Sequence, residues 1–207
     1  MILPHQETLR YLGYQNAVVP EQILQSMERM EQRLLRIATP KTVKCILPHE
    51  QIPWTGRTVC KAIATCEQVV LFAATLGIGV DREIARIGYQ SMSDAVVMQA
   101  VATVLIEEVC NQLQQDVERE TQRFAKPRIS PGYGDFPIEA QRTIAKMLDT
   151  PRKIGLTLTD GLMLAPTKSV TALFGLTTQP KGHKEKDCEL CSKKDCVFRK
   201  HSEKMQR

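Results

Sequence analysis

Residues 153–176, KIGLTLTDGLMLAPTKSVTALFGL, decide the fold class that this sequence predicts. In both halves of this stretch, hydrophobic residues alternate with other residues at a period of two, which is typical of β-strands. The alternating hydrophobic residues are Ile154, Leu156 and Leu158 in the first half, and Val170, Ala172, Phe174 and Leu176 in the second. The intervening segment, residues 165–168, contains Pro166. We therefore expect two strands joined by a turn.

Two more strands and several helices are predicted outside this stretch. Residues 42–47 (TVKCIL) are rich in β-branched side chains, and residues 69–75 (VVLFAAT) form a continuous apolar run, as expected of a buried strand. Helical periodicity appears at residues 21–37, about 93–119 and about 138–148; Asp81 is placed to cap another helix, and Thr150-Pro151 to end the one at 138–148. Strands and helices do not alternate regularly. The prediction is an α+β fold: one domain with a mainly antiparallel twisted sheet flanked by helices.

Composition separates the chain into a body and a tail. Of 207 residues, 43% are hydrophobic, enough for one domain, and no apolar run approaches the ~18–20 residues that cross a bilayer. The N-terminal MILPHQETLR does not resemble a secretory signal, so we expect a cytoplasmic protein that does not associate with membranes. Residues 181–207 hold nine Lys or Arg against five Asp or Glu. We predict a domain over residues 1–180 and a basic cysteine-rich tail over 181–207.

The tail carries a candidate metal site. Its Cys188, Cys191, Cys196 and His201 have the spacing C-x2-C-x4-C-x4-H. Such a set can hold tetrahedral zinc, three cysteines can hold an iron–sulfur cluster, and a solvated end without metal is the third alternative. The nearby lysines add a nucleic-acid-binding alternative. The other cysteines follow no motif and are expected to be small buried residues; they are Cys45, Cys60, Cys66 and Cys110.

A second candidate site lies at residues 128–137, RISPGYGDFP. Prolines fix φ and glycines permit backbone angles closed to other residues, so the loop is expected to be preordered. Arg128 can bind a carboxylate through two hydrogen bonds, and Tyr133 offers a flat ring and a hydroxyl. A small ligand with a carboxylate and an aromatic base would suit this pair, although a structural turn is the alternative. Glu107, Glu108 and Asn111 lie together on the long helix, either as a solvated face or as the polar wall of a groove.

These segments together resemble the activation domain of cobalamin-dependent methionine synthase. The resemblance rests on R-x-x-P-G-Y at residues 128–133, followed by IGLTLTD at 154–160 and KSVTALFG at 168–175. It extends back to AATLG at residues 73–77 and covers most of residues 1–180. The similarity is greatest to free-standing versions, which begin with LRYLGY, residues 9–14 here, and end in a cysteine cluster.

The resemblance implies that the chain binds S-adenosylmethionine in a shallow groove and presents its methyl group to cobalamin on a partner protein. Arg128 would contact the methionine carboxylate, backbone atoms at Ser130 would meet the adenine, and Gly132 and Tyr133 would line the groove. The long helix would contribute from its region between Glu107 and Asn111. Asp160 stands where the family often has a glutamate. After Gly-Tyr, the full-length synthase has a cysteine-proline pair, whereas this chain has residues 134–137, GDFP.

The resemblance also implies particular partners. We expect a methyltransferase component rather than a whole methionine synthase, because the chain has no room for cobalamin, folate or homocysteine modules. It would act on a corrinoid-binding methionine synthase that lacks its own activation domain. Reactivation consumes an electron, so a donor such as flavodoxin or ferredoxin is expected. No acid–base residue is required, since the protein supplies orientation. A scaffold or regulatory partner without the chemistry is the alternative, and a nucleic-acid-binding module is a more remote one.

Overall fold

The computed structural model describes residues 3–14 and 17–179. Helices and strands are mixed along this part of the chain, and a short 3-10 turn, His49–Gln51, follows the first strand. The helices are α1 (His5–Tyr11), α2 (Glu21–Ile37), α3 (Arg57–Ile63), α4 (Ile78–Gly88), α5 (Met92–Thr121), α6 (Ala140–Leu148) and α7 (Thr150–Ile154). The strands are β1 (Lys41–Pro48), β2 (Gln68–Thr75), β3 (Phe124–Ala125), β4 (Thr157–Leu158), β5 (Leu164–Ala165) and β6 (Ser169–Thr177).

The main sheet is antiparallel throughout and has the order β1-β2-β6-β3. Strand β2 lies in the middle, which explains its continuous apolar sequence: both of its faces are covered. The edge strand β3 is only two residues long, but the chain continues beside β6 as far as an isolated bridge between Ile129 and Leu173. This arrangement confirms the predicted α+β fold with a mainly antiparallel sheet. The small hairpin of β4 and β5 forms a separate two-stranded sheet.

Alternate residues of the central strands enter two hydrophobic clusters, one on each face of the sheet. Phe72 of β2 and Phe174 of β6 meet in the first cluster with ring centroids 5.8 Å apart, beneath the helices α2, α4 and α5. Leu71 and Leu173 point into the second cluster, where α3, α6 and α7 pack. The predicted shared side of β6 is confirmed, because Ala172, Phe174 and Leu176 all join the first cluster with Val170 packed against it. The two faces thus hold separate cores.

Two local predictions are wrong. The strand predicted from residue 154 is reduced to Thr157–Leu158, because Thr150–Ile154 forms a short helix with Pro151 in its first turn, where the missing N–H costs nothing. Thr150-Pro151 follows the end of α6 at Leu148, as predicted, and also begins this short helix. Asp81 does not cap α4, which begins at Ile78; instead its carboxylate accepts hydrogen bonds from the backbone N–H and the hydroxyl of Thr167 at 2.8 and 2.7 Å.

The helix bounds are otherwise close to the prediction, and the cysteines follow it in part. The long helix extends to Met92–Thr121, and Ser91 caps it by accepting from the Asp94 N–H. Cys66 and Cys110 are buried as expected, whereas Cys45 is half-buried and Cys60 is exposed. Among the described residues, no helix has both the length and the apolar character needed to span a membrane.

Candidate functional site

The guanidinium of Arg128 is the centre of a polar cluster on α5. Its Nη1 donates to Asn111 Oδ1 at 2.8 Å and to Gln114 Oε1, and its Nη2 donates to Glu107, with which it forms an ion pair. The Arg128 side chain is 21% exposed, and that of Glu107 is 42% exposed. The cluster therefore presents a fixed cation and a more accessible carboxylate side by side at the surface.

The local sequence explains why Arg128 reaches α5. Residues 107, 111, 114 and 118 are spaced by four, three and four, so they form one stripe along the helix. The stripe holds the incoming chain step by step: Glu118 accepts from the Ala125 N–H at 2.7 Å, and Gln114 donates to the Lys126 carbonyl at 3.3 Å. On the other side, the Lys126 N–H donates to Gly175 of β6 at 2.9 Å. Arg128 is thus fixed between β6 and α5.

The loop that follows Arg128 is closed by its own backbone hydrogen bonds. The Tyr133 N–H donates to Ser130 at 3.1 Å, the Phe136 N–H to Tyr133 at 3.0 Å and the Gly132 N–H to Phe136 at 2.8 Å. Gly132 has φ +87 and Gly134 has φ +60, conformations that favour glycine. We call residues 128–137 the Arg128 loop. Its backbone hydrogen bonds and glycine conformations are consistent with the predicted preordered loop. Tyr133 within it is 60% exposed.

The far end of the Arg128 loop is tied to α3 and its preceding segment. The Asp135 carboxylate accepts from the backbone N–H groups of Arg57 and Thr58 at 2.7 and 2.8 Å, and the Asp135 N–H donates to the Thr58 hydroxyl at 3.2 Å. Hydrogen bonds from Thr58, and then from the Arg57 N–H, hold the pKa of the Asp135 carboxyl below its usual value. Phe136 is buried and meets Trp54 in an edge-on contact, with ring centroids 5.3 Å apart.

The structure brings together some of the predicted site residues and separates others. Glu107 and Asn111 join Arg128, so the polar stripe is a built cluster rather than a fully solvated face. Ser130, Gly132 and Tyr133 follow Arg128 in the same loop. Asp160 lies in the turn between β4 and β5, where its carbonyl accepts from Arg142 on α6 at 3.1 Å. Within the described residues, no hydrogen bond or ion pair joins Asp160 to the Arg128 cluster.

Sequence reasoning missed three polar residues around the cluster. Gln114 could have been found, because it lies three residues after Asn111 on the same stripe. Asp135 gave no signal, since its partners are 77 and 78 residues away. Lys168, directly before β6, contacts α5 on the N-terminal side of the cluster. Its ammonium donates to the Thr103 hydroxyl at 2.9 Å and to the Gln99 carbonyl at 3.1 Å. Burial lowers the pKa of Lys168, and the charge of Asp81 opposes that effect.

An open concavity of about 440 Å³ lies away from this cluster, between α6, α7 and β4. Its lining combines charged side chains such as Arg142 and Lys146 with apolar ones such as Leu156. None of the site residues predicted from the sequence lines this concavity. The polar cluster on α5 and the Arg128 loop therefore form the stronger candidate site.

Comparison with solved structures places the fold among known domains. The chain is similar to a chain in a structure titled "Crystal Structure of the MetH Reactivation Domain bound to AdoHcy", with a TM-score of 0.59 and 16% sequence identity. The match covers 86% of this chain and 75% of the other. At this identity the likeness establishes the fold. A comparison with curated protein sequences gave no match.

The family follows from the sequence match. The family model described as "Vitamin B12 dependent methionine synthase, activation domain" matches residues 59–189, which is more than half of the chain. The matched range contains the Glu107–Asn111 stripe, the Arg128 loop and strand β6. The chain belongs to this family, which confirms the family expected from the sequence motifs.

Proposed function

We propose that this chain binds S-adenosylmethionine on α5 and the Arg128 loop, and presents its methyl group to cobalamin held by a partner protein. The chain would act as a stand-alone reactivation component for a cobalamin-dependent methionine synthase. Two findings support the proposal from outside the chain: its membership of the activation-domain family, and a solved domain of the same fold whose title describes bound AdoHcy.

The observation that carries the proposal is the pairing of Arg128 with Glu107. A free amino acid carries a carboxylate and an ammonium on one carbon, so a site for it needs a cation and an anion within a few ångströms. Arg128 supplies the cation and Glu107 the anion, with Asn111 beside them. A guanidinium has five N–H donors, and the three recorded side-chain contacts leave others for a ligand carboxylate. The methionine end of S-adenosylmethionine fits this donor set.

The Arg128 loop would bind the adenosine end. Backbone groups at Ser130 can meet the adenine edge, and the exposed ring of Tyr133 can cover the groove, as the family resemblance implies. Gly132 keeps the backbone free of a side chain at this point. Asp160 is proposed as a more peripheral member, because the described contacts connect it to α6 rather than to the Arg128 cluster.

The chemistry requires orientation rather than acid–base groups on this chain. When bound, S-adenosylmethionine would supply a methyl group already activated by its sulfonium charge; the reduced corrinoid on the partner would accept the methyl group, and S-adenosylhomocysteine would leave. The chain's residues hold the amino-acid end at Arg128 and Glu107, so that the opposite side of the ligand is offered outward. Alignment of two reactants accounts for several kcal/mol of a barrier. The partner would be a corrinoid-binding synthase without its own activation domain, supplied with electrons by a flavodoxin- or ferredoxin-type donor.

A methyl-transfer assay tests this function. The full chain is mixed with a cob(II)alamin-loaded corrinoid protein lacking this domain, a low-potential reductant and S-adenosylmethionine labelled on its methyl group. We expect labelled methylcobalamin, with its characteristic absorbance, only when this chain is present. Labelled product formed equally well without the chain, or with Arg128→Ala in its place, would contradict the proposal.

We further propose that the tail binds a metal through Cys188, Cys191, Cys196 and His201. These residues lie outside the described part of the chain, and their spacing alone supports the proposal. The ligand set fits tetrahedral zinc, and the three cysteines alone fit an iron–sulfur cluster, which would suit a reaction that consumes an electron. Anaerobic purification followed by iron, sulfide and zinc analysis separates the two. A metal-free protein with full activity would exclude a functional metal site.

A further inference from the structure

Asp135 connects two distant parts of the chain through both its side chain and its backbone. Its carboxylate accepts from two successive N–H groups at the start of α3, which would otherwise lack intrahelical partners. The hydroxyl of Thr58 accepts from the Asp135 N–H in return. We call these three hydrogen bonds the Asp135 clamp. A reciprocal set of this kind resembles the capping box of helix starts, except that its two halves come from segments 77 residues apart.

The glycines on both sides of the clamp permit this close approach. A Cβ atom built on Gly134 would overlap the Thr58 hydroxyl, and Gly134 also has φ +60. A Cβ atom on Gly56 would lie 3.2 Å from the Asp135 carbonyl oxygen, closer than ordinary contact. The sequence thus keeps side chains out of the clamp on both segments. The clamp is therefore a fitted contact rather than an incidental surface hydrogen bond.

We propose that Asp135 is a positioning residue for the ligand site: its clamp to Thr58 holds the Arg128 loop in the conformation that binds the ligand. The inference rests on the proposed function and names a residue that the family motif does not include. At its first end the loop is fixed by two contacts: the Arg128 side chain donates to Asn111 of α5, and the Ile129 backbone pairs with Leu173 of β6. Asp135 fixes the other end, so that Ser130 to Tyr133 are held between two anchors.

Trp54 provides a reporter for this conformation. The chain has one tryptophan, and its ring meets Phe136, the residue next to Asp135 in the loop. Because Phe136 adjoins Asp135 in the chain, we expect release of the clamp to alter the contact between Phe136 and Trp54 and so the surroundings of Trp54. Tryptophan emission therefore reports the loop in the full chain without a label.

The test compares five versions of the full 207-residue chain. They are wild type, Asp135→Ala, Thr58→Ala, Thr58→Ser and the control Asp116→Asn. Thr58→Ser keeps the hydroxyl acceptor and should behave like wild type. Asp116 is an exposed carboxylate on α5 whose contacts are to Gln112 and Arg119, so the control changes the charge without touching the loop. Each version is examined by amide hydrogen exchange, Trp54 emission and S-adenosylmethionine titration.

We expect Asp135→Ala and Thr58→Ala to accelerate exchange at the Gly132, Tyr133 and Phe136 amides, to shift Trp54 emission and to weaken ligand binding by at least about fivefold. Thermal unfolding of these variants should stay cooperative, and Thr58→Ser should keep the wild-type affinity. Unchanged exchange in the ligand-free variants would overturn the clamp. Faster exchange with unchanged affinity would overturn the positioning role. Failure of the wild-type chain to bind S-adenosylmethionine would refute the proposed function. The exchange experiment on the ligand-free chain would still test whether the clamp orders the loop.

Discussion

Asn111 Oδ1 lies 2.8 Å from Arg128 Nη1, and Glu107, one turn earlier on α5, pairs with the same guanidinium. Arg128 is 17 residues beyond Asn111 in the sequence, so the contact requires the chain to leave α5, pair with β6 and return. This geometry places a cation and a carboxylate in one fixed arrangement. The predictions that concern the ligand follow from that arrangement.

Arg128 is expected to distinguish ligands that carry a carboxylate from those that do not. Wild-type chain should bind S-adenosylmethionine roughly ten- to 150-fold more tightly than its decarboxylated analogue, which corresponds to about 1.5–3 kcal/mol for a charge-assisted contact. Arg128→Lys should lose much of that preference, because an ammonium cannot reproduce the paired hydrogen bonds of a guanidinium. Competition binding with the two ligands measures the ratio. Equal preference in Arg128→Lys would place the carboxylate elsewhere.

Glu107 is expected to recognise the ligand's ammonium group. Glu107→Gln should weaken binding of S-adenosylmethionine about tenfold and leave an analogue without the amino group nearly unaffected, since only the former loses a charge partner. Glu120→Gln is the matched control, because Glu120 lies on the same helix and pairs with Lys44. Titration calorimetry with both ligands gives the comparison. The same loss for both ligands would mean that Glu107 acts only by holding Arg128.

Phe136 is expected to stabilise the fold as well as the loop. Its side chain is 1% exposed and contacts Trp54, so Phe136→Ala should lower the free energy of unfolding by about 3–5 kcal/mol. Phe124, on the edge strand, is 40% exposed, and Phe124→Ala should cost much less. Chemical denaturation followed by circular dichroism measures both. Similar losses for the two variants would show that Phe136 is not a core residue.

Gly175 on β6 has no space for a side chain, because a Cβ atom there would overlap the thiol of Cys66. Gly175→Ala should therefore destabilise the chain by about 1–3 kcal/mol through overpacking, and Cys66→Ala should recover part of that loss in the double variant. Gly161→Ala is the control, since its added carbon would have its nearest neighbour at 4.0 Å. Strictly additive losses in the double variant would refute the overlap.

The clamp is expected to open in acid. The pKa of Asp135 in the folded chain is lower than in the unfolded chain, so its contribution is fully present above about pH 4 and is lost as the pH falls through the lowered folded value. Trp54 emission should therefore change below about pH 4 before the secondary structure is lost. Asp135→Asn should remove that transition. An identical acid transition in the variant would assign it to another carboxylate.

The residue patterns were sufficient to predict the three long strands of the main sheet, β1, β2 and β6, but not the short edge strand β3. The apolar run at residues 69–75 becomes a strand buried on both faces, and the alternation at 170–176 correctly gives the side that faces α5. The strand predicted from residue 154 failed because alternation over so few residues does not outweigh a helix start at Thr150-Pro151. The secondary structure of such a short segment depends on its tertiary contacts, and alternation of hydrophobic residues gives no information about those contacts.

The candidate site could be predicted where its members are close in sequence. Glu107 and Asn111 lie at helical spacing, and the glycines and prolines around Tyr133 predict a fixed loop. The clamp could not be predicted, because Thr58 and Asp135 are ordinary residues until the fold brings them together. The same holds for Lys168, whose contact with Thr103 depends on how β6 enters the sheet beside α5.

Direct titration of the full chain with S-adenosylmethionine tests the central claim. Three samples suffice: wild type, Arg128→Ala and the control Arg123→Ala, whose side chain pairs with Glu67 away from the cluster. We predict saturable binding of one ligand per chain for wild type and control, and an affinity at least about tenfold lower for Arg128→Ala. No binding by the wild-type chain, or the same affinity in all three, would contradict the assignment of the site.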